Sequence, residues 1–243
     1  MIRIITLLEN MKTNLASPDK GTIRSLFNSI AEHYDFINTL LSLKLDSYWR
    51  RKSRKILIEG QDIKSILDLG VGTGKFISLF AKQSGVNRLV GLDFSEEMLK
   101  LAKKELPKNV SVLSGDFHAL PFENGSFDLI ISSFTLRSVK DMRTFMLQIY
   151  DALGSYGQVG LLCLTRPTNP IIKALFIPYL KFYLPFVGKI ISGKDDAYQF
   201  LSQSVQHFQE PNTTVDLLRR SGFQTIRVKR LTFGIATLIV ARK

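Results

Sequence analysis

Ser65-Ile-Leu-Asp-Leu-Gly-Val-Gly-Thr-Gly-Lys-Phe76 is a short apolar run that enters a Gly-x-Gly-x-Gly turn. Glycines at 70, 72 and 74 let the backbone turn tightly and approach a ligand that a Cβ would exclude. A second apolar run, Arg88-Leu-Val-Gly-Leu92, ends at Asp93, and a carboxylate one strand later can grip both hydroxyls of a ribose. The pair reads as a nucleoside-cofactor site. The glycine spacing then separates two cofactor classes. A dinucleotide fingerprint is Gly-x-Gly-x-x-Gly, whose backbone cradles a pyrophosphate; here the third glycine follows the second by two residues, and the acidic Asp68 precedes the first.

Outward from this turn, the apolar patterning predicts strands over 66–69, 88–92, 110–113, 127–133 and 158–164. Helices over 74–84, 95–105 and 141–152 alternate with them. Ser95, ahead of Glu96 and Glu97, is a good N-cap and fixes the second helix just beyond Asp93. The pattern resumes as a helix over 212–221, ended by Gly222, and strands over 224–230 and 232–241 joined by a tight turn. The expected fold is α/β: a doubly wound, mostly parallel seven-stranded sheet, Rossmann-like, with a C-terminal antiparallel hairpin. We divide the chain into an N-terminal helical cap over 1–60 and a main domain over 61–243, interrupted by an insertion at about 165–211.

The 243 residues suffice for one well-buried domain. Cys163 has no partner for a disulfide, and His33, His118 and His207 do not share metal-ligand spacing with it, so a reducing cytoplasm and no metal are expected. The apolar stretch in Met1-Ile-Arg-Ile-Ile-Thr-Leu-Leu-Glu is too short for a signal peptide, and Met11 is an alternative start. A net charge of +12 attracts polyanions, nucleic acid or an acidic lipid layer, without choosing between them. Much of it sits in the run Arg50, Arg51, Lys52, Arg54, Lys55, which reads most simply as a solvated basic helix face.

An adenosine pocket needs a ribose clamp, an acceptor for the adenine N6 amine and apolar faces. Asp93 supplies the first. In Ser114-Gly-Asp-Phe-His-Ala-Leu-Pro-Phe122, Asp116 can accept from N6 while Phe94 or Phe117 supplies a face. A loop cap for Asp116 and a core position for Phe117 are the plainer alternatives, and His118 receives no role. The acid-led glycine turn resembles motif I of class I methyltransferases, which implies S-adenosylmethionine. With it the cofactor set becomes Asp68, Gly70, Gly72, Thr73, Gly74, Asp93, Phe94, Asp116, Phe117 and Ser133.

More specific matches lie outside the turn. Phe27-Asn-Ser-Ile-Ala-Glu-His-Tyr-Asp-Phe-Ile-Asn-Thr-Leu-Leu-Ser42, followed by Tyr48-Trp-Arg50, is similar to the N-terminal signature of the ubiquinone/menaquinone biosynthesis C-methyltransferases. Ser132-Ser-Phe-Thr-Leu-Arg-Ser-Val139 resembles that family's second signature around a functional arginine. Asp196-Ala-Tyr-Gln-Phe-Leu-Ser-Gln-Ser204 resembles its insertion motif, and Leu231-Thr-Phe-Gly234 its closing hairpin. Lys75, Ser138, Cys163 and the turn Gly154-Ser-Tyr-Gly157 depart from the family pattern.

The resemblance implies methyl transfer from S-adenosylmethionine to a ring carbon of a polyprenyl quinol precursor, with demethylmenaquinol as the expected substrate. Ring-carbon methylation needs an electron-rich carbon, which ionisation of a neighbouring quinol hydroxyl provides. Arg137 is expected to stabilise the resulting charge, and Tyr34 to close over the cofactor beside Asp35. The aliphatic and aromatic stretch from Ile171 to Ile191 is too broken for a membrane span. A greasy lid is expected there, with peripheral contact to an anionic membrane on its inner face, and a homodimer is the expected assembly. A methyltransferase acting on another lipid or small molecule, and an RNA-modifying protein, are the alternatives; no RNA-binding motif is present.

Overall fold

The computed structural model describes residues 42–165, 167, 169–179 and 211–243, with Asn28, Ala31, Tyr34, Asp35, Phe36, Asn38 and Thr39. Seven strands form one sheet in the order β3-β2-β1-β4-β5-β7-β6. They are β1 (Ser65–Leu69), β2 (Arg88–Asp93), β3 (Val110–Ser114), β4 (Phe127–Ser133), β5 (Leu153–Leu164), β6 (Thr225–Leu231) and β7 (Ala236–Arg242). β1 to β5 run parallel to one another, and β7 is antiparallel to both β5 and β6. The doubly wound sheet and its antiparallel closing hairpin are as the patterning predicts.

Five helices are described: α1 (Leu45–Ile58), α2 (Glu96–Glu105), α3 (Met142–Ala152), α4 (Pro170–Pro178) and α5 (Pro211–Arg220). Buried strands have two apolar faces, and each finds its own cover. Leu67 and Leu69 of β1 join Phe145, Met146 and Ile149 of α3 and Val215 and Leu218 of α5. Ile66, on the opposite face, packs with Leu57 of α1, Phe76, Ile77, Phe80 and Leu99 of α2. α1 comes close to β5: a Cβ on Gly160 would lie 2.6 Å from the Leu57 side chain. The buried Gln158 amide donates to the Leu57 carbonyl at 2.6 Å, satisfying one of the acceptors a helix end leaves open.

One expected element is absent. In place of a helix over 74–84 there is a single 3-10 turn, Ile77–Phe80. Phe76, Ile77 and Phe80 are all buried, with the two phenylalanine rings edge-on at 5.6 Å. Three bulky side chains within five residues all find the core from one tight turn, which closes at Ala81. β5 also begins five residues earlier than expected, pairing through Leu153 with Phe127 across a register shift. Most of the greasy insertion, including residues 180–210 and the Asp196–Ser204 motif, lies outside the described residues. No helix among the described residues is long and apolar enough to cross a membrane.

Candidate active site

The carboxyl ends of β1, β2 and β4 meet at a cleft, the usual ligand position in an open α/β sheet. At its centre Asp93 closes β2 and is buried. Its Oδ2 accepts from the Gly72 N–H at 2.8 Å and its Oδ1 from the Ser95 N–H at 2.9 Å. Burial raises the Asp93 carboxyl above its ordinary range, and the Ser95, Gly72 and Phe94 amides pull it back. Each oxygen keeps lone pairs to accept further donors, as a ribose diol requires. Ser95 caps α2 by accepting from Met98 N–H, and its hydroxyl donates to Asn28 Oδ1 at 2.6 Å.

The glycine turn serves packing at one position and ligand access at another. Gly70 (φ 74°) could carry no side chain, since a Cβ would lie 2.3 Å from Thr135 Oγ1. Gly72 (φ 54°) has nothing within 4 Å of its Cβ position, which opens into the cleft. Above the turn, Thr73 Oγ1 donates to Asp35 Oδ1 at 3.0 Å, and Lys75 Nζ lies 3.5 Å from Asp35 Oδ2. The lysine that departs from the family pattern thus pairs with the N-terminal signature.

The opposite wall is the corner after β4. Phe134 takes a left-handed φ of 61°, a conformation that costs a bulky residue on the order of 1–3 kcal/mol. Three contacts hold it: its N–H donates to Leu162 O at 2.7 Å, the Trp49 ring meets it edge-on at 6.2 Å, and the Arg50 guanidinium lies 5.0 Å over it. The Phe134 carbonyl accepts from Arg137 Nε at 3.0 Å, and Arg137 Nη2 lies 3.5 Å from Tyr34 Oη. Arg137 Nη1 is buried and has no hydrogen-bond partner among the described residues.

Behind the glycine turn, Asp68 is 1% exposed, and neither carboxylate oxygen has a hydrogen-bond partner among the described residues. Burial pushes its carboxyl up to about 8 against the opposing pull of Arg50, with Asp93 adding to the rise and the Ile77 N–H opposing it from outside hydrogen-bond geometry. Arg50 itself is held by Asp46 at 2.6 Å.

Of the sequence-predicted site residues, Tyr34, Gly70, Gly72, Thr73, Asp93, Phe94, Phe117, Ser133 and Arg137 line this one cleft. Three stand outside its lining. Asp68 lies beneath it, Gly74 faces Leu106, where a Cβ would come within 2.7 Å, and Asp116 Oδ1 accepts from the His118 N–H and lies 2.8 Å from His118 Nδ1. Phe94 and Phe117 meet edge-on at 5.8 Å and form an apolar wall with Met98. Sequence reasoning missed Arg50, Phe134 and Thr135 as lining residues; Arg50 was legible only as the residue after Trp49 in the N-terminal signature. The basic run is also not a uniform solvated face, because Arg50 turns into the cleft and Arg54 donates to Gln83 Oε1 at 2.6 Å. Cys163, at the end of β5, is buried and its thiol is pushed up to about 12, which leaves it inert.

Residues 13–243 match the ubiE/COQ5 methyltransferase family. The chain belongs to that family. It is 36% identical to the demethylmenaquinone methyltransferase of Lactococcus lactis over 89% of this chain and 88% of that protein. It is 33% identical to that of Chlorobaculum tepidum over 97% and 98%. Among solved structures, a SAM-dependent methyltransferase from Thermotoga maritima superposes with a TM-score of 0.66 at 18% identity, covering 90% of this chain and 99% of that one. Phosphoethanolamine N-methyltransferase 2 of Haemonchus contortus, solved with S-adenosyl-L-methionine, gives 0.58 at 17% identity over 80% and 52%. The chain is an S-adenosylmethionine-dependent methyltransferase with the class I fold. Its cleft fits that cofactor: an anchored buried carboxylate, an open glycine position and an apolar wall.

Two outcomes follow for the methyltransferase. Asp93→Ala should fold and bind S-adenosylmethionine at least about tenfold more weakly, about 1.4 kcal/mol, by calorimetry; unchanged affinity would make Asp93 a structural cap. For Asp68, the folded-state value of about 8 stands above the ordinary 3.8, so the unfolded chain gains by ionising as pH rises between them. Its stabilising contribution is therefore full near pH 4 and lost by about pH 8. Asp68→Asn, melted without ligand, should match the parent near pH 4 and exceed it by several degrees near pH 8; parallel melting curves at all pH values would show that Asp68 is ionised throughout.

Proposed function

We propose that this methyltransferase transfers a methyl group to a ring carbon of demethylmenaquinol, giving menaquinol and S-adenosylhomocysteine. The observation that carries the reading is Arg137, a fixed cation on the wall facing the cofactor residues, whose buried Nη1 has no hydrogen-bond partner among the described residues. The relatives that share about a third of its residues over most of their length are demethylmenaquinone methyltransferases, which supports the same substrate.

S-adenosylmethionine, when bound, supplies an electrophilic methyl group. Asp93 holds the ribose hydroxyls, and Phe94, Phe117 and Met98 enclose the base and exclude water. Arg137 lines the cleft, where its guanidinium charge can face a quinol oxygen. As a guanidinium cation it stabilises a phenolate and does not act as the base. Ionisation of that hydroxyl, its proton passing to solvent, raises electron density on the ortho carbon, which attacks the methyl as the sulfur–methyl bond breaks. The methylated carbon then loses its hydrogen as a proton, restoring the aromatic ring, and the oxygen is reprotonated to give the quinol. Tyr34 positions Arg137 from the open side, and Asp35, tied to Thr73 and Lys75, holds the N-terminal segment over the glycine turn. The reduced ring is required, because a quinone has no hydroxyl to ionise and its carbons are electron-poor. A net charge of +12 and a tailed substrate together favour peripheral contact with an anionic bilayer.

Arg137→Ala should bind cofactor within about twofold of the parent and lose roughly 100-fold or more in turnover, and Tyr34→Phe should lose less. The assay is purified protein on short-tail demethylmenaquinone, with and without dithionite, with the new methyl located by mass spectrometry. A methyl on oxygen, full activity without reductant, or an Arg137→Ala enzyme as fast as the parent would defeat the mechanism.

A further inference from the structure

The turn between β6 and β7 presents a side chain that packing does not explain. Thr232 and Phe233, neither of them glycine, take φ values of 45° and 56°, and Phe233 is 75% exposed. The backbone beneath is fastened from three sides. Trp49 Nε1 donates to Thr232 Oγ1 at 2.8 Å, Thr165 Oγ1 donates to Gly234 O at 2.8 Å, and the Thr165 N–H donates to Ile235 O at 2.8 Å. A strained turn held this firmly fixes its aromatic ring in solvent, where the ring contributes nothing to the core.

The surroundings match one kind of partner. Leu43, 70% exposed and also at positive φ, lies just before α1 and the exposed Tyr48 lies in its first turn; Leu45 and Trp49 of the same helix pack in one cluster with Leu231 and Ile235 at the base of the turn. On β6, the edge strand of the sheet among the described residues, which leads into the turn, Arg227, Lys229 and Arg230 are all exposed. Apolar and aromatic side chains at a tip, with cations set back along its flank, are what a headgroup layer over anionic lipid accepts. A polyphosphate such as RNA would find the cations but would have no use for three bare apolar groups.

We propose that the Phe233 turn, together with the exposed Leu43 and Tyr48 of the segment packed under it, inserts into the interfacial layer of an anionic phospholipid bilayer while Arg227, Lys229 and Arg230 meet the lipid phosphates. The docking stands on this surface; its purpose rests on the reading that the substrate carries a polyprenyl tail. The turn reaches Arg137 through Trp49 and then the ring and backbone carbonyl of Phe134, so the bilayer lies beside the wall where the quinol is expected.

The test uses the full chain and Phe233→Gly, a variant that accepts left-handed φ without strain and so keeps the turn. The parent should float with phosphatidylglycerol-containing phosphatidylcholine vesicles, and less so as salt rises; Phe233→Gly should partition at least about fivefold more weakly while melting no lower than the parent. Its turnover on a short-tail demethylmenaquinol in solution should equal the parent's, and its turnover on a long-tail quinol embedded in those vesicles should fall. Equal partitioning of the two proteins, no flotation of the parent, or capture by double-stranded RNA in preference to vesicles would overturn the docking. A parent that floats in the expected way yet methylates neither quinol would uphold the docking and overturn the reaction.

Discussion

The left-handed corner at Phe134 joins the two halves of this active site. A bulky residue adopts φ 61° only when its surroundings fix it there, and three contacts from two elements do so: β5 through the Leu162 carbonyl, and α1 through the Trp49 edge and the Arg50 guanidinium. The corner's carbonyl then receives Arg137 Nε, and the next residue, Thr135, stands where a Cβ on Gly70 would be. The wall expected to meet the substrate and the turn expected to meet the cofactor are therefore built against each other. Moving either one moves the other.

The cofactor side rests on a simpler constraint. Asp93 is bound by the Gly72 and Ser95 amides, so the glycine turn, the end of β2 and the start of α2 share one buried carboxylate. The carboxylate is fixed before any ligand arrives, which lowers the ordering cost of binding. Asp68 beneath it is the electrostatic counterpart: a buried acid with no hydrogen-bond partner among the described residues, its carboxyl raised by the same burial that shapes the turn.

The central strands β1, β2 and β4 were legible because each is a run of apolar residues with a glycine or polar stop, and a sheet covered on both faces demands that composition. The cofactor turn was legible because backbone access to a ligand selects glycine at fixed spacing. The helix over 74–84 was misread because Phe76, Ile77 and Phe80 satisfy a helical period, yet one 3-10 turn already buries all three. Arg50 and Arg54 were misread because charge alone does not reveal direction; a guanidinium resting on Phe134 or reaching Gln83 looks in sequence like any surface cation. Phe134 had no local signal, since nothing in its identity announces a positive φ. Asp116 was placed by its position after β3, whereas its contacts with His118 two residues on belong to an Asx-type loop that competes for the same oxygen.

If the corner transmits the position of α1 to Arg137, Trp49 and Arg137 should act as one unit. The most direct measurement is a double-mutant cycle on turnover with short-tail demethylmenaquinol at saturating cofactor, comparing Trp49→Leu, Arg137→Ala and the double variant after each is shown to be folded. The account predicts that Trp49→Leu alone slows turnover roughly tenfold without weakening S-adenosylmethionine binding, and that in the Arg137→Ala background it slows turnover no further. Losses that multiply, with Trp49→Leu costing as much without Arg137 as with it, would contradict it.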